Sequence, residues 1–197
     1  MQIILASASP RRRQLLRDML QCPVVIRPAQ AEESCDPTWP PAQQVRFLAL
    51  QKAREIAQTS SRDDIVIGAD TLVYIDGTVL GKPRSPEEAA QMLARLSGRG
   101  HTVFTGVALV QNDRIEQAHA KTLVRMRTLT PAEIDAYVAT GEPMDKAGAY
   151  GIQGGGALLV SAVQGDFYNV VGLPLCLLGQ MLRRWGVSIL DMGGLQS

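Results

Sequence analysis

Cysteine, histidine and aromatic residues are scarce in this 197-residue chain, and neither sign of charge prevails. The three cysteines, Cys22, Cys35 and Cys176, are odd in number and lie far apart without CxxC spacing or histidine neighbours. That pattern argues against a disulfide framework and a structural zinc, and a reducing cytoplasm is the expected setting. The two histidines, His101 and His119, stand alone and read as structural or surface residues. Twenty basic residues against nineteen acidic ones, with 5% aromatics, leave no global field to draw the chain to nucleic acid or a membrane surface. Any anion site has to be local. Long apolar runs are absent too: the longest, Val170 to Leu178, is broken by Pro174 and is too short to span a bilayer. Met1 leads directly into a strand-like IILA, so no secretory leader is expected. There is no internal repeat or heptad pattern, which removes support for arrays and scaffolds, and no Walker or GxGxxG motif for a P-loop or dinucleotide fold.

What remains is an α/β pattern expected to form a single domain over residues 1–190, with a loose tail at 191–197. Strands are expected at Ile3 to Ala6, Val24 to Ile26, Val103 to Val110, Ile115 to Arg127 and Leu158 to Val163. Helices are expected from Pro10, from Pro41 to Gln58, from Ser85, from Thr130 to Gly141, and from Pro174 to Trp185. Two of these helices open as helix physics prefers, Ser85-Pro86-Glu87-Glu88 and Thr130-Pro131-Ala132-Glu133, with a glutamate placed to close a capping box. The first helix breaks that habit. After Ser7-Ala8-Ser9-Pro10 it places Arg11, Arg12 and Arg13 on the positive end of its own dipole. Free amides and arginines together make an anion site there, a phosphate in particular, the alternative being a solvated basic turn.

The stretch Ile65 to Pro83 pairs an acid with a lysine. Ile65 to Ile67 read as a short buried strand, and Gly68 and Ala69 strip it of bulk where Asp70 and Thr71 arrive, so the acid is expected at a strand end. Asp76-Gly77 is a hairpin signal that can carry Lys82 back towards Asp70. Lys52 falls on the apolar stripe of the second helix with Val45 and Ile56, either snorkelling past the core edge or aimed into a cleft. Five glycines between Gly148 and Gly156 mark a close-fitting loop around Gln153.

Ser7, Arg11, Arg12, Glu33, Lys52, Asp70, Lys82 and that loop together suit a triphosphate. Arginine and lysine neutralise phosphate oxygens, while carboxylates hold Mg2+ or Mn2+ through oxygen and can take a proton from a water attacking phosphorus.

The chain resembles the Maf family of nucleoside triphosphate pyrophosphatases. The resemblance rests on LASASPRR from Leu5, Glu32-Glu33, QKA from Gln51, IGADTLV from Ile67, GKP from Gly81, EPMDKAGAYGIQG from Glu142 and VVGLPL from Val170. It implies an elongated mixed sheet flanked by helices, like the inosine triphosphatases and often dimeric, that cleaves between the α and β phosphates with a divalent metal. It implies Asp70 as general base and metal ligand, Glu33 as metal ligand, and Arg11, Thr71 and Gln153 as specificity positions. Ser7, Arg12, Lys52 and Lys82 match the remaining substrate positions. Many relatives carry Asp-Glu where this chain has Glu32-Glu33, so the resemblance assigns no metal role to Glu32. The run DKAGAYGIQG from Asp145 resembles the dTTP and UTP branch rather than the 7-methyl-GTP branch.

The Gln153 amide offers an acceptor and a donor that match the N3 and carbonyl edge of uracil or thymine, with Tyr150 and Tyr168 as candidate stacking partners. A nucleotide-binding regulator of cell division, with little catalysis, is the alternative reading of the same residues.

Overall fold

A computed structural model describes residues 1–20, 23–30 and 34–187. Cys22, Glu32, Glu33 and the tail 191–197 lie outside them. The strands are β1 (Ile3–Leu5), β2 (Val24–Ile26), β3 (Ile65–Ile75), β4 (Thr78–Leu80), β5 (Gly100–Gln111), β6 (Arg114–Met126) and β7 (Val160–Gln164). The helices are α1 (Pro10–Leu20), α2 (Pro41–Ala57), α3 (Pro86–Leu96), α4 (Pro131–Ala139), α5 (Phe167–Val171) and α6 (Leu175–Arg184). Among the described residues the strands form one mixed sheet in the order β2-β1-β3-β5-β6-β7, with β4 added to β3. β1 runs parallel to both β2 and β3, whereas β3–β4 and β6–β7 are antiparallel. The α/β fold is therefore as the sequence leads one to expect.

The chain divides into two compact units. The first contains Met1–Asp70, Thr105–Ala120 and residues 172–187. One of its core clusters, where α2 meets the sheet, mixes small and branched side chains: Ala6, Ala49, Ala53 and Ala108 pack with Ile4, Ile56, Val66 and Val110. Small residues let a helix lie close on a sheet, and here two glycines take this to the limit. A β-carbon on Gly68 would stand 2.1 Å from the Ala49 carbonyl oxygen, and one on Gly106 would stand 2.2 Å from that of Val45. α2 thus rests directly on the backbone of β3 and β5.

This packing corrects the expectation that the sheet strand ends near Asp70. β3 runs unbroken to Ile75 and Asp70 lies within it. Gly68 does not stop the strand; it leaves room for the helix above.

The second unit contains Thr71–Phe104 and Lys121–Val171. Its core joins Val73, Leu93, Leu96, Val124, Met126 and Tyr150 with their neighbours. The hairpin between β3 and β4 turns at Asp76 and Gly77, both with positive φ, as the Asp-Gly pair requires. α3 is capped by the Ser85 hydroxyl, which accepts from the Glu88 amide, and α4 by a full capping box between Thr130 and Glu133. α5 was not legible in the sequence. Its five residues are held by Asn169, fully buried, whose Nδ2 donates to the Val103 carbonyl and the Thr122 hydroxyl. The last strand also starts later than its composition suggests, because residues Gly154–Leu159 form a 3₁₀ segment before β7.

His101 is structural. It is 2% exposed, its Nε2 lies 2.7 Å from the Tyr150 hydroxyl, and its Nδ1 has no partner among the described residues. Burial pulls its pKa from 6.5 down to about 4. Between those values the unfolded chain binds a proton that the folded one refuses, so stability falls as pH falls through this window. The histidine's share of that loss is about 3 kcal/mol. Urea unfolding at pH 7 and pH 4 checks this: His101→Gln should show a clearly shallower loss than the parent, and an equal loss would acquit the histidine.

Candidate active site

In the first unit the chemistry gathers just past the carboxyl end of β1, where β3 runs on beyond its parallel pairing with that strand; open α/β sheets bind ligands outside such strand ends. The register pairs Leu5 with Ile67, so Ser7, two residues past β1, comes level with Ala69, the neighbour of Asp70 on β3. Gly68 and Asp70, two residues apart, share one face of β3, and α2 lies over that face. Ala49 and Ala53 cover Gly68, and Lys52, between them in sequence, reaches Asp70. Its Nζ stands 2.7 Å from Asp70 Oδ1, with side-chain exposures of 12% and 11%. Lys52 thus pairs its charge with a carboxylate and does not spend it on solvent.

Arg12 turns inward. Its Nε donates to the Gly172 carbonyl at 2.7 Å, and its Nη1 donates to the Ala69 carbonyl at 3.0 Å and to the Ser7 hydroxyl at 3.4 Å. It therefore grips the strand backbone immediately before Asp70. Ser7 is buried, and its Oγ also accepts from the Ser9 amide. Arg11 is half-buried in the first turn of α1, which holds no acid, unlike the first turns of α3 and α4.

Cys35 is not a nucleophile in waiting. Burial pushes its thiol pKa up, and the negative charges of Asp70 and then Asp36 push it the same way. Since the thiolate is the reactive species, these effects work against reactivity at this thiol.

Three expected residues lie in the second unit: Thr71 half-buried on β3, Lys82 exposed after β4, and Gln153 exposed at the start of the 3₁₀ segment. Tyr150 is buried against His101 and is a packing residue, not a base-stacking one. Tyr168 is half-exposed and meets Phe167 edge-on. Sequence reasoning placed Glu142 in a family-like motif without giving it a role and missed Tyr137; the two tie the glycine-rich loop together. Only the glycine density hinted that something had to approach that backbone closely.

Among the described residues no three of His, Cys, Asp and Glu form a metal cluster. A hydrated Mg2+ or Mn2+ needs no such cage, since one or two carboxylates, waters and substrate phosphates complete its shell. The Asp70 carboxylate, an oxygen donor on an interior strand with Ser7, Arg12 and Lys52 in the same unit, fits that kind of ion.

The profile of the Maf-like protein family matches residues 2–185. A dTTP/UTP pyrophosphatase from Moorella thermoacetica is 56% identical over 190 residues, covering 95% of this chain and 97% of that one. A dTTP/UTP pyrophosphatase from Symbiobacterium thermophilum is 51% identical, covering 98% of each. Among solved structures, a HAM1 protein from Coxiella burnetii superposes with a TM-score of 0.58 at 16% identity, covering 93% of this chain and 99% of that one. That likeness concerns the fold alone.

Proposed function

The chain belongs to the Maf-like protein family, and from that premise we propose that it is a nucleoside triphosphate pyrophosphatase acting on dTTP and UTP. The observation that carries the reading is the 56% identity, over nearly the whole length of both chains, to a protein named for that activity.

In the proposed reaction a water oxygen bonds to the α phosphorus while the bond from that phosphorus to the α,β-bridging oxygen breaks. The products are the monophosphate and pyrophosphate. Asp70 takes the proton of the attacking water. A carboxylate is the right group for this, being acceptor-only when ionised, and its strand backbone is fixed by Arg12 at the Ala69 carbonyl. Lys52, bonded to the same carboxylate, orients it and adds positive charge where phosphate oxygens gather. Ser7, Arg11, Arg12 and Lys82 are proposed to bind those oxygens, and Thr71 and Gln153 to select the base. Mg2+ or Mn2+, held by Asp70 and Glu33, would supply charge neutralisation on the phosphates.

Incubating the purified protein with dTTP, UTP, dCTP, dITP and 7-methyl-GTP in Mg2+ or Mn2+ tests the reading. Pyrophosphate is expected from dTTP and UTP ahead of the rest. Orthophosphate as the product, or folded protein that releases nothing from either nucleotide, would defeat it.

A further inference from the structure

Gln153 sits in a loop that its own backbone cannot hold. The run from Gly151 to Gly156 contains four glycines, and glycine-rich backbone stays put only when something outside it binds its amides. Here one carboxylate and one phenol do so from both sides of Gln153. On the carboxyl side, the Gly155 amide donates to Glu142 Oε2 at 2.9 Å and the Gly156 amide donates to Oε1 at 3.3 Å. On the amino side, the Gly151 amide donates to the Tyr137 hydroxyl at 3.2 Å. That hydroxyl in turn donates to Glu142 Oε1 at 2.9 Å, closing the frame.

The fit explains the glycines. A β-carbon on Gly155 would meet Glu142 Oε2 at 3.1 Å, and one on Gly156 would lie 2.6 Å from the Tyr137 oxygen and 2.1 Å from the Gly151 carbonyl oxygen. The frame is itself anchored. Tyr137 is buried on α4, the Glu142 amide donates to the Thr140 hydroxyl, and the buried Lys146 donates to both the Glu142 carbonyl and Asp145. Burial alone would raise the Glu142 pKa. The Tyr137 hydroxyl, the two glycine amides and the Lys146 charge outweigh it and hold the carboxyl below its ordinary range.

We infer that Glu142, oriented by Tyr137, is a positioning residue for nucleobase selection, fixing the loop that presents the Gln153 amide. This rests on the proposed pyrimidine triphosphate activity. A glutamine at 142 keeps the shape but replaces one acceptor oxygen by a donor, so an amide of the loop or the phenol loses its partner. Gln153 then samples several orientations, and discrimination by a paired amide is lost with them.

Two readouts on the full-length protein separate this from a merely structural role. Amide hydrogen exchange at Gly151 to Gly156 should quicken in Glu142→Gln, and less so in the milder Tyr137→Phe. The ratio of kcat/KM for dTTP over dCTP should fall about tenfold in Glu142→Gln and about threefold in Tyr137→Phe. The fall should come through KM for dTTP, with kcat for dCTP held within about twofold. Unchanged exchange overturns the inference. So does faster exchange with an unchanged ratio, since Glu142 would then serve stability alone. A wild-type protein that hydrolyses neither nucleotide overturns the activity itself, and that result is recognisable because it precedes any variant.

Discussion

Asp70→Asn is expected to fold, to bind dTTP, and to lose a factor of about 100 to 10,000 in kcat, the usual worth of a positioned general base. Asparagine keeps the size of aspartate, and its Oδ1 can still accept from Lys52. It cannot take a proton from water. The substitution also takes a negative charge from a nearly buried salt bridge, leaving the Lys52 ammonium with a weaker partner, so a stability loss of about 1 to 3 kcal/mol accompanies it. That loss is too small to unfold a domain of ordinary stability. Single-turnover measurement of pyrophosphate release, beside calorimetric titration with dTTP, distinguishes lost chemistry from lost binding. A variant that turns over within about threefold of the parent would remove Asp70 from the base role.

Those parts of the fold governed by neighbours in sequence were legible in the sequence. The Asp76-Gly77 turn needs positive φ at two successive positions, and few residue pairs other than Asp-Gly supply it. The caps at Ser85 and Thr130 are bonds across three residues. The inward direction of Lys52 followed from its place on the stripe of α2, although its partner did not. Features set by distant chain were hidden. Gly68 reads as the end of a strand until one knows that Ala49 and Ala53 lie on top of it. Arg12 reads as a phosphate grip, and nothing beside it in the sequence foretells its bonds to the Ala69 and Gly172 carbonyls, 57 and 160 residues away. Glu142 looks like one acid after a turn. Its role depends on amides thirteen and fourteen residues later, and spacing of that kind carries no periodic signal.

Gly68→Ala is the sharpest test of how fold and site are joined. Elsewhere in a strand, replacing glycine by alanine stabilises by about 0.4 to 1 kcal/mol through the unfolded chain. Here the added carbon would lie 2.1 Å from the Ala49 carbonyl oxygen and 2.9 Å from the Ala53 nitrogen, both rigid helix backbone. The helix has to lift, and overpacking of this kind costs about 3 kcal/mol. The penalty outweighs the entropic gain, so the midpoint of urea unfolding should fall markedly. Gly81→Ala is the matched control, since a β-carbon added there would meet nothing within 4 Å, and it should stay within about 0.5 kcal/mol of the parent. Lys52 rides on the helix that moves, so the 2.7 Å bond to Asp70 lengthens and turnover falls as well, even at temperatures where the protein remains folded. Equal stability of the two variants would mean that α2 does not depend on contact with the β3 backbone. A destabilised Gly68→Ala with undiminished kcat would mean that the Lys52 bond to Asp70 is dispensable for the chemistry.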